Sequence, residues 1–265
     1  METIIIRGGG DLATGIAHRL YKSGFKVIIL EVEKPLAIRR KVSFCEVVYS
    51  GEITIEGVKG VFARNLDEIY EALESSHIPV YIDPEGEIIS KINPLVVVDS
   101  IMAKKNLGTT KDLAPITIGV GPGFEAGVDV DLVVETKRGH FLGKTIYSGR
   151  AEEDTGIPGD IMGYNEERIV RAVDSGVVEH LASIGDKVSA GDLICKTGEG
   201  EVIAKISGIL RGLIKEGLHV EKGLKIGDID PRGMEEYVYT ISEKARAIGG
   251  GVLEGIMYLR KERKI

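Results

Sequence analysis

The segment from Thr3 to Glu31 constrains this chain more than any other. Thr3-Ile4-Ile5-Ile6 reads as a strand, Arg7-Gly8-Gly9-Gly10-Asp11 as a tight turn, and Leu12, Ile16 and Leu20 as one face of a helix that Gly24 stops. Val27-Ile28-Ile29-Leu30 is a second strand, closed by the acid Glu31. That order is what a dinucleotide-binding unit needs. Gly8, Gly10 and Ala13 fit G-x-G-x-x-G/A: Gly8 permits the turn, Gly10 lets backbone approach a pyrophosphate, and Ala13 lets helix and strand lie close. The phosphates would face the helix N-terminus, where N–H groups and the dipole favour negative charge. Glu31 would accept hydrogen bonds from ribose hydroxyls. The candidate cofactor-binding set begins with Gly8, Gly9, Gly10, Asp11, Leu12, Ala13 and Glu31.

Further along, Leu36–Lys41 reads as a short helix carrying Arg39 and Arg40, whose guanidinium forks match phosphate oxygens or simply face solvent. Val47–Tyr49 and Glu52–Ile55 read as a hairpin around Ser50-Gly51, followed by strand 60–63 and helix 66–73. Three compact runs, Pro79–Ile82, Leu95–Asp99 and Ile116–Val120, have the composition of buried strands. Strands alternating with helices imply a mostly parallel sheet, and ligands of open α/β sheets bind along the carboxyl edge. Asp99 and the Gly121-Pro122-Gly123 turn are therefore candidate cofactor-binding residues; Asp99 is equally suited to capping a helix. Lys137–Thr145 almost spells a P-loop, but Arg138 stands where the glycine is required, so it reads as a basic loop bearing His140 that contacts an anion. Ile16 and Ala17 likewise break the P-loop spacing begun at Gly10.

Residues 175–194 and 207–226 align without a gap. Ser175-Gly176-Val177-Val178 matches Ser207-Gly208-Ile209-Leu210, and Gly185, Val188, Gly191 and Ile194 match Gly217, Val220, Gly223 and Ile226. This pattern resembles the barrel-sandwich hybrid of biotinyl and lipoyl carrier domains. The connection Lys196–Glu201 lacks the sequence around a carrier lysine, so no covalent biotin or lipoate is expected, and the module reads as a docking domain. The fold class is thus α/β: a Rossmann-like, mostly parallel sheet with a smaller all-β barrel-sandwich-hybrid domain. The domains are 1–150, which binds nucleotide; 165–232, which holds the repeat; and 234–265, a C-terminal helix packing back on the first. A polar, glycine-rich linker, Ser148–Gly159, marks the boundary. Gly249-Gly250-Gly251 interrupts the last helix, which signals close approach of backbone or of a ligand.

Composition excludes some roles. Thirty-four basic and 41 acidic residues give net charge −7, which argues against nucleic-acid binding. No run is long enough to span a membrane, and Met1-Glu2 leads into strand rather than a signal sequence, so a cytoplasmic location is expected. Cys45 and Cys195 are too few for a disulfide framework. The five histidines, at 18, 77, 140, 180 and 219, are scattered, no metal site is expected, and His18 reads as a surface residue.

Four strings in order, Ile-Arg-Gly-Gly-Gly-Asp-Leu-Ala-Thr-Gly-Ile-Ala-His-Arg-Leu, Pro-Leu-Ala-Ile-Arg-Arg-Lys-Val-Ser-Phe, Gly-Pro-Gly-Phe-Glu-Ala-Gly-Val-Asp-Val-Asp and Glu-Thr-Lys-Arg-Gly-His-Phe-Leu-Gly, resemble the YqeB family of selenium-dependent molybdenum hydroxylase system proteins. The resemblance implies an accessory role in maturing these hydroxylases, with the hydroxylase or its maturation factors as partner. It assigns no catalytic residue and leaves open whether the chain is an enzyme. A molybdopterin dinucleotide contains the pyrophosphate and ribose that the glycine turn and Glu31 would recognise; NAD(P) does too, so an NAD(P)-dependent oxidoreductase is the alternative, and a scaffold with an empty turn is a third. Self-association as a homodimer is compatible with this reading. Cys45, beside the basic cluster, is the candidate for a thiolate carrying selenium.

Overall fold

The computed structural model describes residues 2–154, 156 and 158–265. Thr155 and Ile157 of the expected linker therefore lie outside the described residues. By contact the chain divides into two units: Met1–Pro35, Ser43–Thr155 and Ile241–Ile265 form the first, and Leu36–Val42 and Gly156–Thr240 the second.

In the first unit β1 (Thr3–Arg7) leads through the glycine turn to α1 (Asp11–Lys22) and β2 (Lys26–Glu31). There follow α2 (Val47–Ser50), the hairpin β3 (Glu52–Ile55) and β4 (Val58–Ala63), α3 (Leu66–Glu74), β5 (Ile78–Ile82), α4 (Ile89–Ile92), β6 (Val96–Asp99) and β7 (Ile116–Val120). The remaining strands are β8 (Glu125–Ala126), β9 (Leu132–Val134), β10 (Thr145–Ile146) and β11 (Gly149–Arg150). Among the described residues the main sheet has the order β10-β9-β7-β6-β1-β2-β5-β4-β3. Ile4, Ile5 and Ile6 are all buried, as strands covered on both faces require. On one face Ile5, Ile28, Leu30 and Val97 join Ile69 and Leu73 of α3 and Ile89 of α4 in a common core.

The second unit follows the internal repeat. After β12 (Ile169–Arg171), the first half supplies β13 (Gly176–His180), β14 (Lys187–Val188) and β15 (Leu193–Thr197), and β16 (Gly200–Ile203) connects it to the second. The second half supplies β17 (Gly208–Leu213), β18 (His219–Val220) and β19 (Lys225–Asp230), and α5 (Glu236–Tyr239) follows. Each short strand pairs in the sheet of the other half, β14 with β17 and β18 with β13. One core, including Val178, Ile194, Leu210 and Ile226, draws on both halves. Buried Arg168 and Arg211 pair with Asp228, and Arg211 and Arg232 with Asp230, so that these carboxylates are compensated.

The chain returns to the first unit as α6 (Glu243–Arg263), which packs along α1 and against β7, β9 and β10. Two glycines of its Gly249–Gly251 run meet backbone. A Cβ on Gly249 would lie 2.8 Å from the Gly15 carbonyl oxygen, and one on Gly251 only 2.1 Å from that of Gly143. Side-chain-free approach of this kind decides between the two explanations for the glycine run: backbone, at these two positions, fills the space.

The fold class expected from the sequence is corrected at both ends. The first unit is a mixed nine-stranded sheet rather than a Rossmann-like parallel one: its inner ladders are parallel, but β3 and β10 return antiparallel along its two edges. The second is a pair of four-stranded antiparallel sheets, β12-β19-β17-β14 and β16-β15-β13-β18, rather than a barrel-sandwich hybrid. A repeat of strands and turns specifies local pairing, whereas a barrel also needs closure, and among the described residues no ladder joins these two sheets. Locally, Val47–Ser50 is helical and the hairpin turns instead at Glu56-Gly57, both at positive φ (46° and 79°). Val47 and Phe44 pack beneath Gly60, where a Cβ would lie 2.6 Å from Phe44 Cδ1, so tertiary packing overrides the strand preference of Val-Val-Tyr. Arg40–Val42, not the whole of Leu36–Lys41, forms a 3₁₀ turn.

Candidate functional site

The strand order turns about β1, whose neighbours β2 and β6 lead away in opposite directions, and at such a point loops diverge and leave a crevice. Gly8 takes φ +93°, donates its N–H to Leu30 O at 2.8 Å, and sits so close to Ser100 that a Cβ would lie 2.8 Å from its carbonyl oxygen. Gly9 accepts at its carbonyl from the Cys45 N–H (2.9 Å) and is packed on Cys45. Gly10 is the N-cap of α1, with no side-chain cap, and a Cβ there would meet nothing within 4 Å. Asp11 and half-buried Leu12 open the helix, and Ala13 is buried behind them. The first turn of such a helix presents N–H groups without intrahelical acceptors.

Glu31 closes the other side of the turn. Its Oε2 accepts from the Gly9 N–H at 2.7 Å and its Oε1 from the Val32 N–H at 2.8 Å. Burial pushes its pKa up, opposed by those two N–H donors. A carboxylate has about four lone-pair directions, so two remain after these bonds are made. Beside it lies a cleft of about 480 Å³ whose lining includes Arg7, Gly8, Glu31, Asp83, Ile101 and Leu107. Asp83 is fixed by the N–H groups of Gly86, Glu87 and Ile88 at 2.9–3.0 Å.

Arg7 and Asp99 stand at the ends of adjacent strands and are both buried. Asp99 accepts from Thr109 Oγ1 (2.6 Å) and the Ile101 N–H (3.1 Å), and Arg7 Nη1 lies 3.7 Å away. Arg7 in turn donates to Thr109 Oγ1 at 2.6 Å and to Pro84 O at 2.9 Å, joining the loops after β5 and β6. Asp99 therefore anchors the site from within. Arg7 was not among the sequence candidates. Its signal was there: a charge ending an otherwise apolar strand, directly before the glycines.

Other candidates have different occupations. Arg39 and Arg40 belong to the second unit and donate to backbone carbonyls there, Arg39 to Tyr237 and Thr240 at 2.9 and 3.1 Å and Arg40 to Leu213 at 2.9 Å. Gly121 and Gly123 are packed rather than open, since added Cβ atoms would lie 2.8 Å from Thr136 Oγ1 and 2.7 Å from the Lys105 nitrogen. In the loop after β9, Lys137 pairs with Glu152 and Arg138 with Glu243, so its cations are engaged, and His140 lies edge-on to Phe141. His18 is half-buried, its Nε2 3.4 Å from Glu56 O, rather than a surface residue. Cys45 faces carboxylates, not cations: burial, then Glu31, Glu46 and Asp11, push its thiol well above the ordinary range. Burial raises Cys195 to about 11. Lys244, missed in the sequence, is half-buried on the first turn of α6, and burial followed by Arg138 lowers its pKa. Among the described residues no group of three or more His, Cys, Asp or Glu is placed to hold a metal ion, and no helix is long and apolar enough to cross a membrane.

No family model matches the chain. Of solved structures, an aspartoacylase family protein from Mesorhizobium loti shares 9% identity over 86% of this chain and 84% of its own, with TM-score 0.27. Product-bound EutE (DoeB), an ectoine utilization protein from Ruegeria pomeroyi, shares 14% over the same fractions with TM-score 0.26. A stretch of 104 residues, 39% of the chain, is 29% identical to 10% of the carbamoyl phosphate synthase large chain of Clostridium acetobutylicum. Over 258 residues, 97% of its length, the chain is 51% identical to the uncharacterized protein YqeB of Escherichia coli strain K12, and it spans 48%, about half, of that relative. Identity of this extent supports a likeness to the YqeB family over about half of that relative's length.

Proposed function

We propose that this chain binds a dinucleotide-type cofactor, a molybdopterin dinucleotide or NAD(P), in the crevice at the head of β1, and that it does so as an accessory factor in the maturation of selenium-dependent molybdenum hydroxylases. One observation carries the binding reading: an open cleft adjoins Gly8 and Glu31, and Gly10, at the head of a helix without a side-chain cap, leaves the backbone approachable. The diphosphate lies against the first turn of α1, where N–H groups and the helix dipole favour it. Glu31, held in place by Gly9 and Val32, uses its remaining lone pairs on sugar hydroxyls. The Gly9 N–H is already spent on Glu31, so the phosphate contacts fall to Gly10 and the turn after it.

The second unit serves as the docking surface for the hydroxylase or another maturation factor. Mass spectrometry of the native protein, co-expressed with the genes of molybdenum cofactor synthesis, tests this. Retention of a pterin dinucleotide is the expected result. Retention of NAD(P), with nicotinamide turnover on some substrate, would instead make the chain an oxidoreductase, and absence of any thermal shift with every dinucleotide would make the turn a mere structural corner.

A further inference from the structure

The cleft beside the glycine turn has an uneven charge. Glu31, Asp83 and Glu85 all line it, whereas its one lining cation, Arg7, is buried and already committed to Asp99, Thr109 and Pro84. The oxygens of Asp83 accept from three N–H groups, and Glu85 stands exposed at the rim. The same cleft has apolar sides. Val32 follows β2 and Leu107 lies in the loop after β6, on opposite sides of β1, and both are large side chains left more than 40% exposed. Two apolar walls over an acidic floor suit a flat base attached to an uncharged polyol. They do not suit a second phosphate, which would bring negative charge among three carboxylates with no available cation.

We infer that this cleft is the nucleoside end of the site and that it selects a ribose with an unmodified 2′,3′-diol, rejecting one that carries a 2′-phosphate. The inference rests on the dinucleotide reading above and narrows it: Glu31 accepts from the diol, Glu85 repels phosphate at the rim, and Val32 and Leu107 hold the base. Of the two cofactor classes left open by the glycine turn, it admits a molybdopterin dinucleotide and NAD and excludes NADP.

The test is calorimetric titration of the full chain with adenosine, guanosine, cytidine and uridine 5′-diphosphates and with their 2′-phosphorylated counterparts. At least one unmodified diphosphate is expected to bind about 30-fold or more tighter than its 2′-phosphorylated form, the ratio that like-charge juxtaposition of a few kcal/mol produces. Glu85→Lys, a change at an exposed position, is expected to raise affinity for the 2′-phosphorylated probe about tenfold and so narrow the ratio. Equal binding of both forms to the wild-type protein, or tighter binding of the phosphorylated one, overturns the selectivity and leaves the dinucleotide reading standing. If none of the eight compounds binds, the dinucleotide reading falls and the selectivity with it.

Discussion

Two runs of three glycines, Gly8–Gly10 and Gly249–Gly251, are identical as strings and serve opposite ends within the first unit. In the turn, Gly8 and Gly9 are hemmed in by Ser100 and Cys45, but Gly10, which would bear any ligand, faces open space. In α6 the crowding is at Gly249 and Gly251, which meet the carbonyls of Gly15 and Gly143, and only the middle glycine is open. The first run keeps a backbone approachable; the second lets two pieces of backbone touch. What separates them is the identity of the neighbour, which a glycine in a sequence does not disclose.

The comparison breaks most sharply at Gly251. An alanine Cβ would be placed 2.1 Å from the Gly143 oxygen, and because that neighbour is backbone, α6 must shift. Gly251→Ala is expected to destabilise the protein by about 3 kcal/mol, read as a lower urea midpoint. An unchanged midpoint would mean that α6 does not depend on this contact.

Glu31 sharpens the turn's side of the contrast, since it moors Gly9 by its backbone N–H. Glu31→Gln turns one acceptor into an NH₂ facing a backbone N–H and is expected to cost about 1–3 kcal/mol. The wild-type carboxyl has a folded pKa above its unfolded one. Its contribution is therefore fully present below the unfolded value, about 4.3, and is lost as pH rises through the folded value. The difference in stability between wild type and Glu31→Gln should accordingly shrink as pH rises across that window. A difference that grows instead would show that the N–H donors outweigh burial.

Much of this contrast was legible beforehand. The apolar runs at Ile4–Ile6 and Val27–Leu30 and the helix between them announce themselves because buried strands and an amphipathic helix have different periods. The repeat at 175–194 and 207–226 appears as strands of matching placement because its glycines fall at the same turns, Gly185 and Gly217 at φ +105° and +82°. Pairing across the molecule is less legible. Nothing local in Thr145-Ile146 says that it returns antiparallel to β9, nor does the repeat say whether its sheets close. At the site, Gly8, Gly10 and Glu31 could be read from spacing, but the tethers of Glu31 and the partners of Arg7 depend on loops about 20 to 100 residues away. Arg39 and Arg40 misled for the same reason: a basic pair carries no mark of which carbonyls it will meet.

Gly10→Ala separates binding from folding. Its φ of −66° and ψ of −177° are open to alanine and the space is clear, so stability should fall by less than about 1 kcal/mol, the disadvantage of alanine at an N-cap. Affinity for a nucleoside diphosphate should fall about tenfold, or about 1.4 kcal/mol, because the new methyl occupies the approach to the backbone. Loss of stability without loss of affinity would place Gly10 with the packing glycines.

The smallest effect has the opposite sign. Gly250 lies inside α6 between two crowded glycines, yet a Cβ there meets nothing within 4 Å. Glycine in a helix interior costs up to about 1 kcal/mol relative to alanine through the freedom it has when unfolded. Gly250→Ala is therefore expected to raise the urea midpoint slightly, by the equivalent of about 0.5–1 kcal/mol, and to leave nucleotide affinity where it was. A drop in stability would mean that the open side of α6 is covered in solution by something that needs the glycine, and the two runs would then differ less than their neighbours imply.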